Sequence, residues 1–165
     1  MSLKEIFCQG KAIGILQRAF SADKMPHAYI FAGAEGVGKF KTAREWAKLL
    51  LCKNPINEKI ENADFADSCG SSRPLEMGRG SCESCRLLEA GSHPDFNPVY
   101  KELIQFTKDG KDRKTPVDLP KDVIKEFLIE KVSTRPTLSE RKVFIVSEAE
   151  KLNAASQNSL LKVLE

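Results

Sequence analysis

Two groups of residues in this chain have the types and spacing to do chemistry. The first is Gly33-Ala34-Glu35-Gly36-Val37-Gly38-Lys39, the pattern of a phosphate loop. Glycines at 33, 36 and 38 let successive backbone N–H groups curl around an anion, and Lys39 is placed to reach its outer phosphates. The residue after the lysine normally offers a hydroxyl to Mg²⁺, but here it is Phe40. Thr42 sits roughly 200° further around a helix and does not substitute. The second group is Cys82-Glu83-Ser84-Cys85, a C-x₂-C pair whose thiolates can approach one tetrahedral Zn²⁺.

Hydrolytic phosphate-loop proteins carry a second acidic pair, an Asp that holds hydrated Mg²⁺ and a Glu that polarises the attacking water. The corresponding run here is Val143-Phe144-Ile145-Val146-Ser147-Glu148. Glu148 is retained, whereas Ser147 puts a neutral hydroxyl where the aspartate should be. Metal assistance is worth several kcal/mol of transition-state stabilisation, and each ~1.4 kcal/mol lost is a factor of ten in rate. Two changes at one metal site predict hydrolysis too slow to matter, with Glu148 idle and Mg²⁺ unheld. Capture of ATP by Gly33, Gly36, Gly38 and Lys39 without turnover stays open.

The cysteine pair extends to a set of four. Twelve residues separate Cys69 from Cys82, and Cys52 ends the helix that follows the phosphate loop. Four thiolates on one Zn²⁺ would tie down the irregular stretch 53–81, where coordinate bonds replace a local core. Four protein ligands leave no open position, so this metal is expected to be structural. Cys8 is left over as a packed or free thiol.

Hydrophobic spacing says which elements position these groups. Residues 6–20 repeat apolar side chains at helical intervals, and 28–32 (AYIFA) read as a strand buried on both faces. A helix over 40–52 points Ala43, Trp46, Ala47, Leu50 and Leu51 inward, with Trp46 in the core. A short helix is expected over 85–90, ended by Gly91, then one or two strands within 96–106. Pro120 opens a helix with Val123, Phe127, Leu128 and Val132 inward, Val143–Val146 form a second buried strand, and 151–165 form a helix presenting Leu152, Ala155, Leu160 and Leu164 on one side. Strand, loop, helix, then strand and helix again mean an α/β fold with a parallel sheet. His27 is expected to pack before the first strand, His93-Pro94-Asp95 to shape a turn, and the mixed-charge run 108–114 to be a solvated loop.

Composition bounds the rest. The chain has 165 residues, enough for one domain with a real core. Its 26 Lys and Arg against 23 Asp and Glu give +3, a balance that selects no partner by itself. No run of ~18 apolar residues is present, which excludes a membrane-spanning helix. The opening MSLKEIFCQGK lacks the apolar stretch of a secretory signal, so the expected setting is the cytoplasm, where thiols point to metal before disulfides. With Gly at 10 and Pro at 8, collagen-like and disordered classes also fail.

Taken in order, Pro26-His27-Ala28-Tyr29-Ile30-Phe31, the glycine loop, the cysteine cluster, Gly91-Ser92-His93-Pro94-Asp95-Phe96 and Asn158-Ser159-Leu160-Leu161-Lys162-Val163-Leu164-Glu165 resemble bacterial clamp-loader subunits, the AAA+ modules of DNA polymerase III. The resemblance covers essentially the whole chain. It implies an AAA+ phosphate-loop sheet flanked by helices over 1–165, with an inserted zinc module at about 52–85. Phe40 and Ser147 favour the non-hydrolysing delta prime kind over the catalytic gamma/tau kind. The spacing from Cys52 to Cys82 is wider than the family's, and 107–120 is an insertion. The family works as a pentamer that opens a ring-shaped sliding clamp and places it on primed DNA. Other clamp-loader subunits, of gamma/tau and delta type, are thus the implied partners, with the clamp and DNA reached through the assembly. The delta prime kind is a rigid stator that lends an arginine from a Ser-Arg-Cys motif to a neighbouring site, here expected beyond Glu165 in a longer protein. The competing expectations are an ATP-hydrolysing motor subunit and a phosphotransferase with a zinc-bound lid, for which no acceptor site or arginine pair is visible.

Overall fold

The computed structural model describes residues 9–54, 82–108 and 117–164. Cys8, Cys69 and most of the 108–114 run lie outside the described residues. The chain divides into two compact units, Met1–Gly91 and Ser92–Glu165.

The first unit contains α1 (Gly10–Ser21), α2 (Lys39–Leu51) and α3 (Glu83–Glu89). Leu16 of α1 meets Trp46 and Leu49 of α2, and Phe20, Met25, Tyr29, Phe31 and Leu50 close around them. Trp46 is 3% exposed, with the rings of Phe20 and Tyr29 edge-on at 6.1 and 5.7 Å, the geometry that aromatic quadrupoles favour. Most of α2 between Thr42 and Leu49 is buried, so Leu49 enters the core beside the expected positions and Leu50 is half-buried.

The strand expected over 28–32 is not formed. This stretch carries no ladder, and Ile30 is 94% exposed. The first unit has no other strand among its described residues, so the backbone of AYIFA has nothing to pair with inside it. Tyr29 and Phe31 still pack toward Trp46, while His27 is exposed rather than packed.

The second unit holds the sheet. β1 (Phe96–Val99) and β2 (Val143–Val146) pair in parallel, with Phe96 opposite Val143 and Val99 opposite Val146. The region 96–106 thus yields one strand, and Lys101–Phe106 then wind into a 3₁₀ helix. After Pro120 come α4 (Lys121–Ile124), a π-helical turn Lys125–Ile129 and α5 (Glu130–Val132), where Val132, expected inward, is exposed because it closes the last turn. Val99, Ile104, Leu119, Val123, Ile124 and Leu128 form the buried core, with Phe127, Phe144, Leu160 and Val163 packed against it.

The last helix, α6 (Ala154–Leu164), keeps Leu160 inward, but Ala155 and Leu164 are exposed. Ser156 and Ser159 face inward in their place. The Ser156 hydroxyl donates to the Leu119 carbonyl at 2.9 Å and that of Ser159 to Ala155 at 2.8 Å, which lets short polar residues occupy a buried face. No helix among the described residues is long and apolar enough to cross a membrane.

Candidate phosphate loop and cysteine centre

The glycine loop runs straight into α2. Gly36 and Gly38 have φ of 81° and 85°, left-handed values that a side chain would strain. Gly38 is the residue before the first helical turn, and the Thr42 N–H donates to its carbonyl at 2.9 Å. The Thr42 hydroxyl donates to the same carbonyl at 3.0 Å, so it is buried and engaged, as the helical angle anticipates. Phe40 projects half-exposed from the first turn.

Lys39 folds back over the loop. Its Nζ donates to the carbonyls of Gly33 and Ala34 at 2.8 and 2.9 Å. A pocket of about 220 Å³ opens beside it, bounded by Leu16, Ile30, Phe31 and Val37, with Lys39 and Thr42 at the loop end. The arrangement offers an ammonium and a helix start to an anion, and an apolar recess to whatever is attached to it.

Ser147 and Glu148 follow β2 in the second unit. The Ser147 N–H extends the ladder to the Val99 carbonyl at 2.9 Å. Glu148 takes a left-handed φ of 52°, and its carboxylate is held by Lys151 at 2.7 Å and Lys101 at 3.1 Å. Hydrogen bonds from Lys151 and then Lys101 hold its carboxyl below the ordinary value. A carboxylate shared by two ammonium groups is a weakened base, because taking a proton means losing both ion pairs. Lys151, three residues away, was legible as a partner. Lys101 was not, because only the parallel pairing of β1 with β2 carries it there.

The three described cysteines of the predicted four converge. The sulfurs of Cys52, Cys82 and Cys85 all lie within 4.8 Å of one another, and Cys52 Sγ is 3.8 Å from Cys82 Sγ. Sulfurs bound at ~2.3 Å around a tetrahedral zinc are ~3.8 Å apart, so the spacing fits that metal. Cys52 follows the end of α2 and Cys82 precedes α3, both with extended backbone, whereas Cys85 lies in the first turn of α3 and is 2% exposed. Burial raises the Cys82 thiol, but the N–H groups of Cys85 and Lys53 and the neighbouring thiols outweigh it and bring it down to about 7. Burial, together with the other two sulfurs, pushes the Cys85 thiol up.

Fastenings around this cluster were not read from the sequence. The buried Ser84 hydroxyl donates to the Leu51 carbonyl at 2.6 Å. Arg44 of α2 donates to the terminal carbonyls of Leu88 and Glu89 at 3.2 and 3.4 Å, and Lys48 pairs with Glu89. A seven-residue helix is too short to stand alone, and α2 supplies what it lacks.

His93-Pro94-Asp95 does shape a turn, and more firmly than the motif suggested. Asp95 is fully buried and accepts backbone N–H groups from Thr137 at 2.7 Å and from Leu138 and Ser139 at 2.8 Å. His93 Nδ1 accepts the Asp95 N–H at 3.0 Å, which leaves Nε2 protonated and facing Ser139 Oγ at 3.3 Å.

Comparison with known proteins agrees with the motifs. Residues 8–165 match the model of a family described as DNA polymerase III, delta subunit. The chain is 31% identical to DNA polymerase III subunit delta' of Bacillus subtilis (strain 168) over 157 residues, 95% of this chain and 38% of that protein. It is 32% identical to the subunit delta' of Pseudomonas aeruginosa over 139 residues, 84% of this chain and 33% of that one. DNA polymerase III subunit tau of Escherichia coli (strain K12) is 30% identical over 161 residues, 98% of this chain and 20% of its own length. The chain thus spans well under half of each relative.

Proposed function

This chain belongs to the DNA polymerase III delta-subunit family, and on that premise we propose that it is a clamp-loader subunit of the delta prime kind, which holds the loader's geometry without hydrolysing ATP. In this reading residues 1–165 are an AAA+ nucleotide-binding-like domain from a cytoplasmic protein. Its partners are other clamp-loader subunits, and it serves the sliding clamp and primed DNA through them. The observation that carries the reading is Glu148, engaged by two lysines; the sequence adds that Phe40 after the phosphate loop offers no oxygen and Ser147 no charge.

A structural zinc belongs to the same proposal. Cys52, Cys82 and Cys85 would hold it, with Cys69 as the fourth ligand, in a module at about 52–85. The 3.8 Å sulfur spacing supports this. When bound, the metal supplies a cross-link and no reactive position, since four thiolates close its shell.

An ATP-hydrolysing motor of the gamma/tau kind is the competing reading, favoured by the left-handed glycines, Lys39 and the similarity to subunit tau. Turnover separates the two. The full-length protein, alone and with Mg²⁺, is expected to hydrolyse ATP at background rate. A steady rate that disappears in Lys39→Ala would overturn the proposal. In a reconstituted loader acting on primed DNA, Lys39→Ala is expected to leave loading nearly intact. A defect of roughly tenfold, about 1.4 kcal/mol, with folding and assembly normal, would show that the loop changes state during the cycle.

A further inference from the structure

The three cysteines are unequal, and their inequality has a chemical consequence. Cys85 is buried within α3, whereas Cys52 and Cys82 are both partly open to solvent. These two also sit outside their helices, on extended backbone at φ of −70° and −76°, where a side chain can turn at the cost of one long contact, the Cys85 N–H to Cys82 Sγ at 3.4 Å. Their sulfurs are 3.8 Å apart across a sequence separation of 30 residues. A disulfide needs ~2.05 Å, a closure that rotation of two such side chains can supply.

We propose that Cys52 and Cys82 are a redox modification site, converted by a peroxide into a disulfide that replaces the metal's tie across residues 52–82. One thiolate attacks the peroxide, its electron pair forms an S–O bond, and the O–O bond breaks. The departing hydroxide takes a proton and becomes water, leaving a sulfenic acid. The other thiolate attacks that sulfur, the S–S bond forms, and a second hydroxide leaves to be protonated to water. Two thiols are oxidised by two electrons and one peroxide is reduced to two waters. Cys85 is spared because solvent does not reach it. The fold around the pair persists, because Ser84 and Leu51, Arg44 and the α3 carbonyls, and Lys48 and Glu89 are fastened without any sulfur.

The cross-link rests on geometry alone, whereas release of metal on oxidation rests on the zinc reading above. The test treats the full-length protein with hydrogen peroxide, maps peptides without reduction and follows released zinc with a chromogenic chelator. The expected result is a 52–82 disulfide as the main product, reversed by dithiothreitol, with zinc released in equal amount. Cys85→Ser is expected to keep the cross-link and Cys52→Ser to lose it. A dominant 82–85 pair, a bond to Cys69 or Cys8, or irreversible sulfinic acid at Cys82 would overturn the proposal. Protein that contains no zinc yet forms the 52–82 bond would sink the zinc reading and leave this one standing. Zinc release with the cysteines paired otherwise would do the reverse.

Discussion

Cys82→Ser is expected to bring the full-length protein below one equivalent of zinc and to lower its thermal midpoint by roughly 10 °C, while Cys8→Ser changes neither. Structural zinc contributes on the order of 10–16 kcal/mol of apparent binding free energy at neutral pH. If only a third of that is passed to fold stability, a chain of this size loses about 10 °C. The site explains why one sulfur matters so much. Cys52 and Cys82 stand at the ends of two different helices, so a metal held between them joins α2 to α3 directly. Binding also displaces protons, most of all from Cys85, whose thiol burial and neighbouring sulfurs push up. Zinc uptake should therefore acidify a weakly buffered solution and weaken as pH falls. Elemental analysis and a melting curve on the same sample check both halves. Stoichiometric zinc in Cys82→Ser with an unchanged midpoint would refute the assignment.

Asp95→Ala should destabilise the protein by about 3 kcal/mol, and Asp95→Asn by about half as much. The carboxylate is fully buried and accepts three backbone N–H groups from 137–139. Alanine leaves all three without it, although this partly exposed stretch can recruit water. Asparagine keeps one acceptor oxygen and turns an amide toward a donor. The pH dependence has a definite sign. Burial alone would raise the Asp95 carboxyl, but the N–H groups of Thr137, Ser139 and Leu138 outweigh it and hold it below the ordinary 3.8. A depressed folded value adds stability that is complete above the unfolded value of ~3.9 and is lost as pH falls through the folded one. Urea midpoints of wild type and Asp95→Asn should differ at neutral pH and draw together as the pH falls below the ordinary carboxylate range. A gap that is constant with pH would mean that the carboxylate's charge is not what the turn uses.

What the sequence disclosed and what it hid divide along physical lines. The glycine loop, Lys39, the C-x₂-C pair and the helix after Pro120 were legible because each depends on neighbours within a few residues. Glu148 was located correctly, yet its bondage to Lys101 was not, since that contact spans the pairing of β1 with β2. Ser84 looked like a spacer between two cysteines, but its hydroxyl fastens the C-terminus of α2. The inward face of α6 was misread because serines that return their hydroxyls to backbone carbonyls behave as buried residues, which no hydrophobic periodicity records. AYIFA has the composition of a buried strand, but a strand is a property of two chains, and the first unit offers no second one among its described residues.

One helix begins at the glycine loop and ends at the cysteines. At 1.5 Å per residue, the thirteen residues of α2 make a rod about 20 Å long, with Lys39 at its head and Cys52 just past its foot. Nearly all of its length is clasped by neighbours, so it has little freedom to bend. A load on the head is therefore carried to the foot, as with a strut between two bearings. An anion that pulls Lys39 away from the Gly33 and Ala34 carbonyls loads the same beam that the thiolates and α3 anchor. On the stator reading proposed above, an anchored beam beneath the glycine loop would turn anion binding into stiffness rather than into motion.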